Sequence, residues 1–95
     1  MASLELESFI DEGIRLSQRK GYHPTTFIGM RERHGTTLAI SRLVVSGEIQ
    51  SGFKRLRDLG LLEWTIEAAV MRFPEEFNRE VRKAAEWRLR EAKGG

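Results

Sequence analysis

The sequence predicts an all-α protein, a compact orthogonal bundle of five or six short helices forming one domain over 1–95. Three observations predict it. Apolar residues recur at i, i+3, i+4 and i+7 along most of the chain, the spacing of helices that bury one face. The breaks between these segments fall at Gly21, Pro24, Gly35, Gly47, Gly60 and Pro74, residue types that end or open helices. The chain has 95 residues and a hydrophobic content of 40%, enough for one modest core.

The first helix starts at Ser3, whose hydroxyl caps free N–H groups, with Glu5 and Glu7 set against the positive end of the helix dipole. Leu6, Phe9, Ile10, Ile14 and Ser17 form its inner face, and Lys20 with Gly21 closes it. The second helix opens at Pro24, where a missing N–H would have had no partner anyway, turns Phe27 and Met30 inward and ends at Gly35. Thr36 or Thr37 caps the third, whose apolar residues are Leu38, Ile40, Leu43 and Val44 and which stops at Ser46-Gly47. The fourth covers 49–59, burying Phe53, Leu56 and Leu59 before Gly60 stops it. The fifth covers 65–71 with Ile66, Ala69 and Val70 inward, although the β-branched and aromatic residues of 61–71 leave a strand as the alternative. Phe73-Pro74 breaks the chain, because the residue before proline resists helical geometry. Asn78 caps the last helix, which buries a stripe of Val81, Ala84, Ala85, Leu89 and Ala92, and 93–95 form a frayed end.

Several function classes are excluded by residue type. There is no cysteine, hence no disulfide and no thiolate metal site, which suits a reducing cytoplasm. The opening MASLELESFIDEG is acidic and amphipathic, unlike a signal peptide, and no apolar stretch approaches the roughly 18 residues of a membrane span. A soluble, cytoplasmic protein is expected. His23 and His34 stand at opposite ends of the second helix, roughly 16 Å apart at the helical rise, too far to share a metal ion. Ser41 and Ser46 have no base at a recognisable spacing, and no phosphate loop surrounds Asp11 or Asp58. These observations predict no enzyme, no cofactor, no metal and no evident small-molecule substrate.

Charge says more by its distribution than by its sum. The net charge is only +2, yet the first helix holds Glu5, Glu7, Asp11 and Glu12 ahead of a middle rich in Arg and Lys. Either the acidic helix packs beside the basic ones and neutralises them, or the basic middle faces an anionic partner. For the second case, TLAISRLVVSGEIQSGFKRLRDLGLLE resembles the helix-turn-helix core of winged-helix regulators. That resemblance implies a recognition helix over 49–59 that places Gln50, Lys54, Arg55 and Arg57 toward DNA, with Arg42 meeting phosphate. A wing would require a β-hairpin next, and 64–71 carries no turn signal for one.

A second resemblance covers more of the chain. GYHPTTFIGMRERHG, then SGFKRLRDLGLLEWTIEAAV, then a helix carrying Arg88-Leu89, is similar to a small uncharacterised bacterial all-helical domain of the pattern GYxPxxFxxM…SxGFxxLxxxGRLDLTVEALV. That domain stands alone or is appended to restriction-type nucleases. The matching residues are Gly21, Tyr22, Pro24, Phe27, Met30, Gly35, Leu43, Ser51, Gly52, Phe53, Leu56, Gly60, Leu62, Thr65, Glu67, Ala68, Val70, Arg88 and Leu89. Leu61, Glu63 and Trp64 depart from it, and Glu63 in place of aspartate weakens an expected N-cap. The resemblance implies an all-helical fold and no catalytic residues. Most matching positions are apolar or glycine, as packing positions are, and Glu67 is expected to serve the N-terminal turn of the fifth helix.

The expected role is a non-enzymatic binding or accessory module acting through protein–protein interaction or self-association. Trp87 lies off the buried stripe of the last helix and is the candidate contact residue, the alternative being that it packs on the first helix. DNA binding through Arg42, Gln50, Lys54, Arg55 and Arg57 is the competing expectation.

Overall fold

Ser3 opens the first helix as its residue type requires: its Oγ accepts the Leu6 N–H at 3.1 Å, and its own N–H and hydroxyl donate to the Glu76 carboxylate at 2.8 and 2.6 Å. This one residue both caps a helix and ties the beginning of the chain to a segment 73 positions away. The computed structural model describes residues 2–46 and 51–94. Their order is α1 (Leu4–Arg19), α2 (Thr25–His34), α3 (Thr36–Val45), α4 (Ser51–Asp58), a 3₁₀ turn (Leu62–Trp64), α5 (Ile66–Arg72), a second 3₁₀ turn (Pro74–Glu76) and α6 (Arg79–Gly94). The described residues are thus all-α, with six helices and no strand. The radius of gyration, 12.1 Å, matches the about 12.4 Å of a compact chain of this length.

The helix ends follow their local chemistry. Gly21, Gly35 and Gly60 adopt φ of 88°, 87° and 78°, which side-chain-bearing residues rarely adopt, and each terminates or separates helices. Asn78 caps α6, its Oδ1 accepting the Val81 N–H at 2.9 Å, and Thr65 caps α5 by accepting from Ala68 at 3.1 Å. The segment 61–71 is therefore a 3₁₀ turn followed by helix, and Thr65 rather than Glu63 provides the cap. Pro24 sits one position earlier than expected, at the N-cap of α2. Gly35 serves as both the end of α2 and the cap of α3, so Thr36 does not cap. Helix α6 continues through Gly94, past the expected start of a frayed end, and Ile49 lies outside the described residues.

One core holds the fold together. Leu6, Phe9 and Ile10 of α1 pack with Phe27 of α2, Ala39, Ile40 and Val44 of α3, Ala69 and Val70 of α5, and Phe77, Val81 and Ala85 around α6. Trp64 stacks on Phe9 at 4.9 Å between ring centroids, which brings the first 3₁₀ turn onto α1. Gly13 permits that approach, since a Cβ there would stand 3.1 Å from the Trp64 carbonyl oxygen. Phe53 and Leu61 are buried as well, but outside this cluster. Helix α4 therefore lies over the main core as a separate cover, resting chiefly on the first 3₁₀ turn.

Two carboxylates of the acidic first helix, Glu7 and Asp11, are paired from α2, while Glu12 pairs with Arg15 of α1 itself. Arg31 donates to Asp11 at 2.8 Å, to Glu7 at 2.7 Å and to the Thr36 hydroxyl at 2.9 Å, and that hydroxyl in turn donates to Glu7. One guanidinium so joins α1, α2 and α3. Burial raises the Glu7 pKa, but the hydrogen bonds from Thr36 and Arg31 and the Arg31 charge outweigh it and leave the carboxyl below its ordinary value. No described helix is long and apolar enough to cross a membrane.

Candidate functional site

Three places warrant comparison: the basic face of α4, the outer face of α3 and α6, and a cavity beneath α4. On α4, Phe53 is buried and Leu56 half-buried, which leaves Lys54, Arg55, Arg57 and Asp58 on the outer arc, all exposed. Asp58 falls inside that arc and accepts a 3.2 Å bond from Arg57, so the basic face carries its own carboxylate. Arg42 is exposed on α3, and Gln50 lies outside the described residues. Helix α3 packs on α2, α5 and α6, whereas α4 rests chiefly on the first 3₁₀ turn. The element after α4 is helical, with no hairpin among the described residues.

Trp87 is 52% exposed and does not pack away against α1. It lines a shallow groove with Val44, Val45, Lys83 and Ala84, between α3 and α6. Val45 is 40% exposed and Leu38, seven residues earlier on the same side of α3, is 44% exposed. Arg42 falls between them on that side, and Lys83 precedes Trp87 by one turn of α6. Among the described residues neither Arg42 nor Lys83 has an ion pair. The result is an apolar patch with unneutralised cations on its margin.

Beneath this surface lies the most buried ion pair among the described residues. Arg88 projects from the inward stripe of α6 and is 4% exposed, and Glu67 on the first turn of α5 is 1% exposed. Arg88 Nη1 donates to Glu67 Oε2 at 2.9 Å and to the Leu43 carbonyl at 3.1 Å, while Nη2 donates to the Ser46 carbonyl at 2.7 Å. The guanidinium thus takes up carbonyls at the C-terminal end of α3 and holds them to the N-terminal end of α5. Burial pushes the Glu67 carboxyl above its ordinary pKa, opposed by the Arg88 hydrogen bond, the nearness of its own backbone N–H and the Arg88 charge. Its second oxygen, Oε1, has no hydrogen-bond partner among the described residues.

Glu67 also lines a cavity of about 130 Å³ formed by α1, α2, α4 and the first 3₁₀ turn. Ile10, Ile14, Phe27, Leu43, Phe53, Leu56 and Trp64 make its walls apolar. Ser17, Tyr22, Thr26 and Thr65 bring hydroxyls, two of them already donated: Ser17 Oγ to the Gly13 carbonyl at 2.7 Å and Thr65 Oγ1 to the Leu62 carbonyl at 2.9 Å. Tyr22 reaches α4 at Gly52, where a Cβ would stand 2.5 Å from its Oη. Burial raises the Tyr22 pKa against the nearby Arg55 charge, so the phenol stays protonated at neutral pH.

Sequence reasoning placed Glu67 at a helix start but missed that it pairs with Arg88. The signal was present: Arg88 continues the Val81 and Ala85 stripe at helical spacing, and Glu67 and Arg88 are the two charged residues among those carrying the second resemblance. The described residues hold no cluster of His, Asp or Glu able to bind a metal ion. Compared with known protein families, with curated proteins and with solved structures, the chain matches none.

Proposed function

We propose that the protein is a non-enzymatic binding module that docks a protein partner on the face formed by Leu38 and Val45 of α3 and Trp87 of α6. The observation that carries this reading is the exposure of Trp87, at 52%, in one groove with Val45, itself 40% exposed. Tryptophan contributes large contact area with little side-chain entropy to lose, and apolar patches with a charged margin are the usual anatomy of docking surfaces. Arg42 and Lys83 on that margin favour a partner segment that combines apolar residues with carboxylates. The resemblance to a bacterial domain that stands alone or is appended to larger proteins is compatible with an accessory role. The test is capture of partners from lysate by the wild-type chain and by Trp87→Ala and Val45→Asp, with sedimentation equilibrium to detect self-association. Binding that both substitutions abolish supports the reading. A monomer whose captured partners are indifferent to both substitutions defeats it.

Duplex DNA is the second reading, favoured by the exposure of Lys54 and Arg55, neither of which has an ion pair among the described residues. Such binding would weaken steeply with added salt as condensed counterions are released. The triple substitution of Lys54, Arg55 and Arg57 by Gln would remove it, and absence of binding at low salt disposes of it.

A further inference from the structure

Glu67 presents a mismatch between what the fold buries and what it satisfies. One carboxylate oxygen is held by Arg88 at 2.9 Å, and the other, also buried, has no hydrogen-bond partner among the described residues. An unmet buried acceptor is costly, and proteins cover such groups with a partner or an ordered water. The cavity that Glu67 lines has a volume of about 130 Å³, room for about four waters at their liquid volume. Each of those waters would need two to four polar partners. The walls provide few: the Ser17 and Thr65 hydroxyls already donate to backbone carbonyls, Tyr22 and Thr26 bring two more hydroxyls, and the remainder is chiefly isoleucine, leucine and aromatic surface. A largely apolar space of this size has room for a benzene-sized guest.

We propose that this cavity is a binding site for a small neutral, planar apolar molecule carrying one O–H or N–H donor, with Glu67 Oε1 as the acceptor. The charge state of the ligand follows from the pair. Arg88 already neutralises Glu67, so a cationic ligand would bring an uncompensated charge into an apolar space, and an anionic one would face the carboxylate. A neutral donor completes the hydrogen bonding of Oε1 and leaves the charge balance intact. The aromatic walls at Phe27, Phe53 and Trp64 favour a flat ring.

The experiment compares phenol with toluene, which match in shape and differ in the donor, by titration of the wild-type chain followed through backbone amide chemical shifts. Phenol is expected to bind saturably, shifting the amides of Ile14, Phe53, Leu56 and Glu67, at least about tenfold more tightly than toluene, the gain from a hydrogen bond to a charged acceptor. Leu56→Phe, which fills the cavity without touching the ion pair, is expected to abolish both while circular dichroism stays helical. Equal affinity for the two probes would overturn the role of Oε1. Absence of binding by either, or phenol binding that survives in folded Leu56→Phe, would overturn the site. Should Leu56→Phe fail to fold, the wild-type comparison of the two probes decides alone.

Discussion

Arg88 on α6 and Glu67 on α5, 21 residues apart in sequence, meet at 2.9 Å where neither is more than 4% exposed. A buried pair of this kind stabilises little relative to well-packed apolar side chains, but breaking one half is expensive, because the other is left charged and alone. Arg88→Met should cost about 3–5 kcal/mol, since it strands Glu67 and removes a donor from the Leu43 and Ser46 carbonyls. The double substitution Glu67→Gln with Arg88→Met should cost clearly less than the sum of the two single changes. Urea unfolding of the four proteins measures the difference, and simple additivity would show that the pair is not coupled.

Glu7 and Glu67 should contribute to the pH dependence of stability with opposite signs. The folded Glu7 pKa lies below its unfolded value, so its contribution is present above the ordinary carboxylate range and is lost as pH falls through the folded value. The folded Glu67 pKa lies above its unfolded value, so its contribution is greatest below the ordinary range and declines as pH rises through the elevated one. Melting temperature against pH should therefore lose part of its acid decline in Glu7→Gln. In Glu67→Gln the protein melts lower throughout, but the decline on the rising side is removed.

Gly52 offers a substitution whose sign depends on its neighbour. A Cβ at this position would lie 2.5 Å from Tyr22 Oη, so Gly52→Ala should destabilise the protein by about 1 kcal/mol or more through overpacking. With Tyr22→Ala as background the clash is gone and only the better helix propensity of alanine remains, worth up to about 1 kcal/mol. The same change should then stabilise. Thermal unfolding of the four variants checks the reversal, and a loss of equal size in both backgrounds would contradict the contact.

Trp87 should separate binding from folding. More than half of its surface is already exposed, so Trp87→Ala should change stability by no more than about 0.5–1 kcal/mol. Val81→Ala on the same helix, at 2% exposure, should cost more, about 1–3 kcal/mol. Denaturant midpoints of the two variants, measured beside the capture assay, show whether any loss of partner comes from the surface or from the fold.

The parts of this protein that are legible in its sequence act over a few residues. Ser3, Thr65 and Asn78 cap helices because a side-chain oxygen reaches an N–H three positions on, whatever surrounds it. Gly21, Gly35 and Gly60 stop helices because the positive φ they adopt needs no tertiary partner. Helical spacing likewise announces Leu6, Phe9 and Ile10 as an inner face, and Val81 and Ala85 as another. The all-α fold follows from such signals. What they cannot specify is which faces meet. Thr36 has the residue type of a cap, yet its hydroxyl is engaged by Arg31 and Glu7 from two other helices. Trp87 is exposed and Arg88 beside it is buried because α6 is covered by α3 and α5 on one side only. Arg31, Arg88 and Glu67 acquire their roles from desolvation and from partners more than 20 positions away. The cavity too exists only because α4 covers the core without entering it. Desolvation and distant pairing depend on how the helices are assembled, so tertiary structure alone decides them; caps, stops and apolar stripes are local, and the sequence by itself determines those.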